Sequence, residues 1–109
     1  MSNRFKRAVI DDVTSRNIDA SLQDHLLDLF ESAMKSVATT LVRGAKFDTT
    51  DFATAKGRGC EGFTLLVSRT RADSRDGWFG AFQRGDERLD VVGHLVGGQA
   101  GIDVVRTRR

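Results

Sequence analysis

Several short stretches of this sequence carry residue types that could do chemistry. Lys56-Gly57-Arg58-Gly59 is one. Glycines leave backbone N–H groups open to an anion, and an arginine adds a planar fork, so the stretch could cradle a phosphate. It lacks the G-x-x-x-x-G-K-[ST] spacing of a phosphate loop, and a bulged lead-in to a strand explains the glycines equally well. His25 and His94 are the only histidines, and Cys60 is the only cysteine. A Cys60–His94 pair with an acidic orienter would make a nucleophile site. Nothing in the spacing requires it, and an isolated buried cysteine ordinarily serves as a small apolar filler. No H-x-x-x-H or comparable ligand spacing occurs, so neither a metal nor a cofactor is expected.

Arg84-Gly85-Asp86 spells a tripeptide known from cell-adhesion ligands. A hairpin turn accounts for it: glycine supplies positive φ and aspartate a local hydrogen bond. Trp78-Phe79 beside Arg69, Arg71 and Arg75 mixes aromatic and basic residues as nucleic-acid platforms do. No RRM, KH or zinc-knuckle signature surrounds it. Strand alternation makes Phe79 the ring expected at the surface.

These residues must be positioned by a small number of elements. The chain has 109 residues, which predicts a single domain over 1–109. Net charge is +2, too small for an all-over nucleic-acid coat, although arginine outnumbers lysine. One cysteine excludes an intrachain disulfide and fits a reducing, cytoplasmic setting. Arg4, Lys6 and Arg7 resemble the opening of a signal peptide, but Asp11 and Asp12 interrupt the apolar run, so no export signal and no membrane span are expected.

Residues 21–43 are amphipathic with helical period. Leu22, Leu26, Phe30, Ala33, Met34, Val37 and Leu41 form the apolar stripe. Asp24, Asp28, Glu31, Lys35 and Thr39 oppose it, with Glu31 and Lys35 spaced for an ion pair. Ser21 with Asp24 suggests the N-terminal cap, and Gly44 the C-terminal stop. Residues 4–15 read as a short helix on the spacing of Phe5, Val9 and Val13, with a strand through 5–10 as the rival. Residues 44–61 read as a connector anchored by Phe47 and Phe52. Strands follow at 62–71, 78–83, 89–96 and 102–107, separated by glycine- and aspartate-rich turns. Short connections imply an antiparallel meander. The expected class is α+β: a long N-terminal helix packed on a four-stranded antiparallel sheet over about residues 62–107.

Two consequences bear on function. One sheet face collects Phe63, Leu65, Val67, Trp78, Phe82, Leu89, Val91, Leu95, Ile102 and Val104 and should lie on the helix. The other still carries Leu66, Phe79, Ala81, Val92, Val96 and Val105, so residues 4–15 or a second subunit should cover it. Leu66, Val92 and Val105 are the expected contacts in a homodimer. Meander loops also gather Lys56, Arg58, Arg84, Arg88, Arg106 and Arg108 at one end, predicting a basic rim for partner binding. The reading that follows is a small non-enzymatic cytosolic binding protein, of inhibitor or adaptor type, that engages a protein or ribonucleoprotein through that rim and apolar surface. The alternatives are a binder of RNA or an anionic nucleotide, and a small basic nuclease-like enzyme using His25 or His94 as general base.

Overall fold

A computed structural model describes residues 6–40, 44–49, 52, 59–70 and 77–97. The elements are β1 (Lys6–Arg16), α1 (Ala20–Thr40), β2 (Gly44–Asp48), β3 (Thr64–Arg69), β4 (Gly77–Arg84) and β5 (Glu87–Gly97). The strands form one five-stranded sheet in the order β1-β5-β4-β3-β2, with every neighbouring pair antiparallel. The class is α+β, as the periodicities imply. The count and order differ from expectation: the long helix follows a strand instead of a short helix, and the sheet has five strands instead of four. The central meander, β3–β4–β5, is the predicted one. The expected strand at 102–107 lies outside the described residues, as do the Leu41 and Arg43 positions assigned to the helix end.

Residues 4–15 were expected to be helical, yet Lys6–Arg16 is an edge strand paired with β5. The reason lies in a β-bulge. Ala8 stands opposite Leu95 and Ile10 opposite Gly93, but the next pair is Asp12 with Val92, so Asp11 is the extra residue. Before the bulge Ala8 and Ile10 face the helix; after it the odd-numbered Val13 does. Val9 and Val13 therefore point to opposite faces, and their four-residue spacing imitates a helix.

The helix cap lies two residues before the expected Ser21. Asp19 caps the helix: its Oδ1 accepts from the Leu22 N–H at 2.8 Å, and its backbone carbonyl accepts from the Gln23 N–H at 2.9 Å. Gly44, expected as the helix stop, opens β2 instead. Phe47 belongs to β2 and not to a connector; its ring meets that of Phe52 at 5.6 Å between centroids. The buried stripe of α1 is Leu26, Leu29, Phe30, Ala33, Met34 and Val37, and the Glu31–Lys35 pair is present at 3.7 Å.

The stripe lies across one face of the sheet. Phe63, Leu65, Val67, Trp78, Phe82, Leu89, Val91 and Leu95 are all buried beneath it. Two glycines set how close the helix comes. A Cβ on Gly80 would collide with Cδ1 of Phe30; one on Gly93 would lie 3.2 Å from Cε2 of the same ring and 2.7 Å from the Val9 carbonyl oxygen. The Phe30 ring thus fills a notch cut by two missing side chains on adjacent strands. Substituting Gly80→Ala is expected to destabilise the fold by about 1–3 kcal/mol through overpacking, read as a lowered urea midpoint, and Phe30→Leu in the same chain should recover part of the loss. A neutral Gly80→Ala would remove the notch from the account.

Candidate functional site

The candidate residues gather in two places, one at a pole of the sheet and one on its uncovered face. At the pole, the β1–α1 corner, the end of the 49–63 connection and the β4–β5 hairpin meet. Arg84 organises the junction. Its Nη1 donates to the carbonyls of Gly59 at 2.8 Å and Glu61 at 2.7 Å. Its Nε and Nη2 grip Glu87 at 2.7 and 3.2 Å. Its guanidinium also lies 4.2 Å from the centre of the Phe63 ring. The Glu87 hydrogen bond raises the Arg84 pKa above its ordinary value, and the same bond holds the Glu87 carboxyl below the usual glutamate range. Asn17, with φ of 61°, completes the junction by donating from Nδ2 to the Asp86 carbonyl at 3.0 Å.

The turn at 59–62 is built for this arginine. Gly59 and Gly62 have φ of 78° and 88°, values that favour glycine. The Cys60 carbonyl accepts from the buried Thr49 hydroxyl. The turn therefore directs three carbonyl oxygens inward, those of Gly59, Cys60 and Glu61, and offers acceptors where an anion cradle would offer donors. Lys56 and Arg58 lie outside the described residues. Arg84-Gly85-Asp86 spans a two-residue hairpin turn in which Gly85 has φ of 61°, the position glycine takes in a type II′ turn.

Beside this junction, Asp19, Ser21, Leu22, His25, Gly59, Arg84 and Glu87 line an open cleft of about 460 Å³. His25 is half-buried there, but the charged groups around it are already committed: Asp19 to the helix cap, and Arg84 and Glu87 to each other. His94 is elsewhere, on the uncovered sheet face, with Nδ1 2.8 Å from Oδ2 of Asp11. Cys60 is fully buried in the core on the helix side, so the structure separates the Cys60–His94 pair. Among the described residues, no group of three or more His, Cys, Asp or Glu is placed to hold a metal ion. No helix among them is long and apolar enough to cross a membrane.

The face turned away from α1 is the second location. Register places Lys46, Leu66, Ala81, Asp90 and Thr14 in one row across the sheet, and Gly44, Ser68, Phe79, Val92 and Asp12 in the next. Leu66 is 48% exposed and Val96 37%, while Phe79, Ala81, Val92 and Val9 are half-buried. The segment expected to shield this face, residues 4–15, is instead built into the sheet from Lys6 onward. The row nearest the hairpin is polar: Asp48, Thr64, Gln83, Arg88 and Arg16. Arg88 is bound to Asp90 at 3.0 Å and reaches Gln83 at 3.4 Å. Thr14, Ser15, Arg16, Arg88 and Asp90 line a second open cleft of about 460 Å³.

The expected rim residues thus separate. Arg84 and Arg88 lie near one pole but on opposite faces, because Arg84 pairs with Glu87 and Arg88 with Gln83 across the hairpin. Arg106, Arg108 and Val105 lie outside the described residues. Phe79, Leu66 and Val92 share the uncovered face. Arg16 was not foreseen. Its neighbour Arg88 is 72 positions away in the chain, and only the β1–β5 register brings them together. No protein-family model matches this sequence, and no curated protein or solved structure is significantly similar to it.

The Arg84–Glu87 pair generates a pH dependence with a definite sign. A carboxyl whose pKa is depressed on folding stabilises the fold above its unfolded pKa, and that contribution is lost as pH falls through the folded value. Urea midpoints measured between pH ~3 and ~7 should therefore fall on the acid side, and Glu87→Gln should flatten part of the decline. An identical acid profile in that variant would dismiss the clamp as a source of stability.

Proposed function

We propose that this chain is a small, non-enzymatic cytosolic binding protein, of inhibitor or adaptor type, that docks a protein partner on the uncovered face of its sheet. One observation carries the reading: an apolar patch of Leu66, Phe79, Ala81 and Val92 runs across β3, β4 and β5, with Val96 exposed further along β5, on a face over which no element packs among the described residues. An antiparallel sheet with one solvated face ordinarily alternates toward polar side chains there. Apolar residues in the middle with Arg16, Arg88 and Lys46 around them match the arrangement of an interface centre and its polar rim.

The contact set is narrower than the original rim. Arg84 holds the fold together at the pole and is not free to grip a partner. Arg88 reaches the open face and stays in the set, while Leu66, Phe79 and Val92 supply its apolar centre. The cleft at His25 supports a catalytic reading less well, since its flanking acid and base are bound to one another.

Affinity capture from lysate with the wild-type chain and with Leu66→Asp tests the proposal. The variant should keep its thermal stability, because Leu66 is already half exposed, and should retain the protein partner at least about tenfold less well. Capture should persist in high salt; capture that collapses with salt would identify nucleic acid through counterion release. Equal retention by wild type and Leu66→Asp would overturn the assignment of this face.

A further inference from the structure

The two edges of the sheet are unequal. β2 exposes five residues and β1 eleven. Beyond the bulge at Asp11, β1 runs without interruption through Asp12, Val13, Thr14, Ser15 and Arg16, each paired inward with β5. Its outer side meets no strand among the described residues. An unpaired edge of this kind is a template for another strand.

The order of side chains on that edge selects the partner strand. When an antiparallel copy of β1 is laid beside β1 with Thr14 opposite the partner's Thr14, Val13 meets the partner's Ser15 and Asp12 meets the partner's Arg16. The twofold axis repeats the last pair at the other end. Opposite charges and threonine pairs facing across an antiparallel ladder are both favourable. Moving the centre to between Asp11 and Asp12 would oppose Arg7 to the partner's Arg16, a like-charge pair.

A second observation points the same way. Arg16 faces Arg88 on the neighbouring strand, an arrangement that costs energy when left alone. Asp90 neutralises Arg88, at 3.0 Å, whereas Arg16 is exposed and has no hydrogen-bond or ion-pair partner among the described residues. Asp12 has a use in the single chain: its Oδ1 accepts from the Val13 N–H at 2.9 Å, which occupies one group of the open edge.

We propose that the chain forms a symmetric homodimer by antiparallel β1–β1 pairing centred on Thr14, with Asp12 of each copy bound to the partner's Arg16. On pairing, the Val13 N–H exchanges the Asp12 carboxylate for the partner's Ser15 carbonyl, and the freed carboxylate takes the guanidinium. The contact is isologous, so it closes at two copies and leaves β2 as the outer edge. The pairing goes beyond the proposed docking face and does not compete with it: the two uncovered faces come to lie side by side on one continuous sheet.

Sedimentation velocity across a wide concentration range tests this on the full chain. The wild type should pass from monomer to dimer. Asp12→Arg and Arg16→Asp should each weaken the dimer by about tenfold or more while leaving the monomer folded, with small stability shifts of opposite sign: Asp12→Arg loses the bond to the Val13 N–H, and Arg16→Asp relieves the repulsion from Arg88. Mixing the two variants should restore association, because each altered residue then meets an opposite charge on the other chain. Thr14→Cys should form an interchain disulfide under mild oxidation, as facing Cα atoms in such a ladder lie ~4.5–5.5 Å apart; Cys60 is buried and should not take part. A monomer at every concentration, a dimer indifferent to both charge variants, or a mixture that fails to associate would each overturn the pairing. None of these outcomes bears on whether Leu66→Asp loses its partner.

Discussion

The architecture depends on the seat of one ring. Phe30 lies over Gly80 and Gly93, and the sheet carries no side chain beneath it at either point. This brings the helix closer to the sheet than a layer of branched residues would allow. Trp78, Phe82, Leu89 and Val91 are buried in the same core as the ring. The notch is also directional. Gly80 faces Val91 and Gly93 faces Trp78, so the two gaps lie on a diagonal across β4 and β5. A helix that keyed into them at another angle would meet Val91 or Trp78 instead. The diagonal therefore orients α1 across the sheet, with contacts to every strand, and that orientation allows one helix to connect strands at opposite edges.

Covering one face fully with a single helix has a consequence for the other. The chain has no second helix among its described elements, and its first eleven described residues extend the sheet sideways. Sideways extension satisfies the backbone hydrogen bonds of β5 and protects the central meander from being an edge. It does nothing for the apolar side chains on the far side. The same structural choice therefore closes the core, leaves Leu66 and Val96 in solvent, and moves the exposed edge from β5 to β1.

Much of this was legible in the order of residues, and the part that was not has identifiable causes. The stripe of α1 and the alternation along the strands are local signals, and thirteen of the core residues they named are buried as expected: Leu26, Phe30, Ala33, Met34 and Val37 on the helix, and Phe63, Leu65, Val67, Trp78, Phe82, Leu89, Val91 and Leu95 on the sheet side. β1 was legible only as the rival strand through 5–10, because Asp11 shifts the alternation by one residue and neither period fits across it. β2 was hidden because five residues ending in Phe47-Asp48 resemble a loop with an aromatic anchor. Arg84 was misplaced for a different reason. Its charge and its glycine-rich neighbourhood suggest a ligand site, but the face on which it lies is decided by the two-residue turn, which pairs it with Glu87 and sends Arg88 to the other side. Charge type and clustering are visible in a sequence; which face a charge occupies is a property of register.

Arginine roles in this molecule then follow from what surrounds each guanidinium, not from the total. Arg84 is met by two carbonyls, a carboxylate and an aromatic face, so its fork is filled and it ties the 59–63 segment to the β4–β5 hairpin at one pole. Arg88 is half satisfied by Asp90 and Gln83 while still reaching the open face. Arg16 has the repulsion of Arg88 beside it and nothing to balance it within the described chain. The sequence from filled to unfilled runs outward, from the interior of the pole to the edge strand. Among the described residues, Arg16 therefore leaves an unneutralised guanidinium where β1 ends, at the corner shared by the uncovered face and the free edge. A partner on that face and a second copy along that edge would both draw on the same unspent electrostatic attraction, and the Asp12 carboxylate four positions earlier on β1 is the feature that distinguishes the edge from the face.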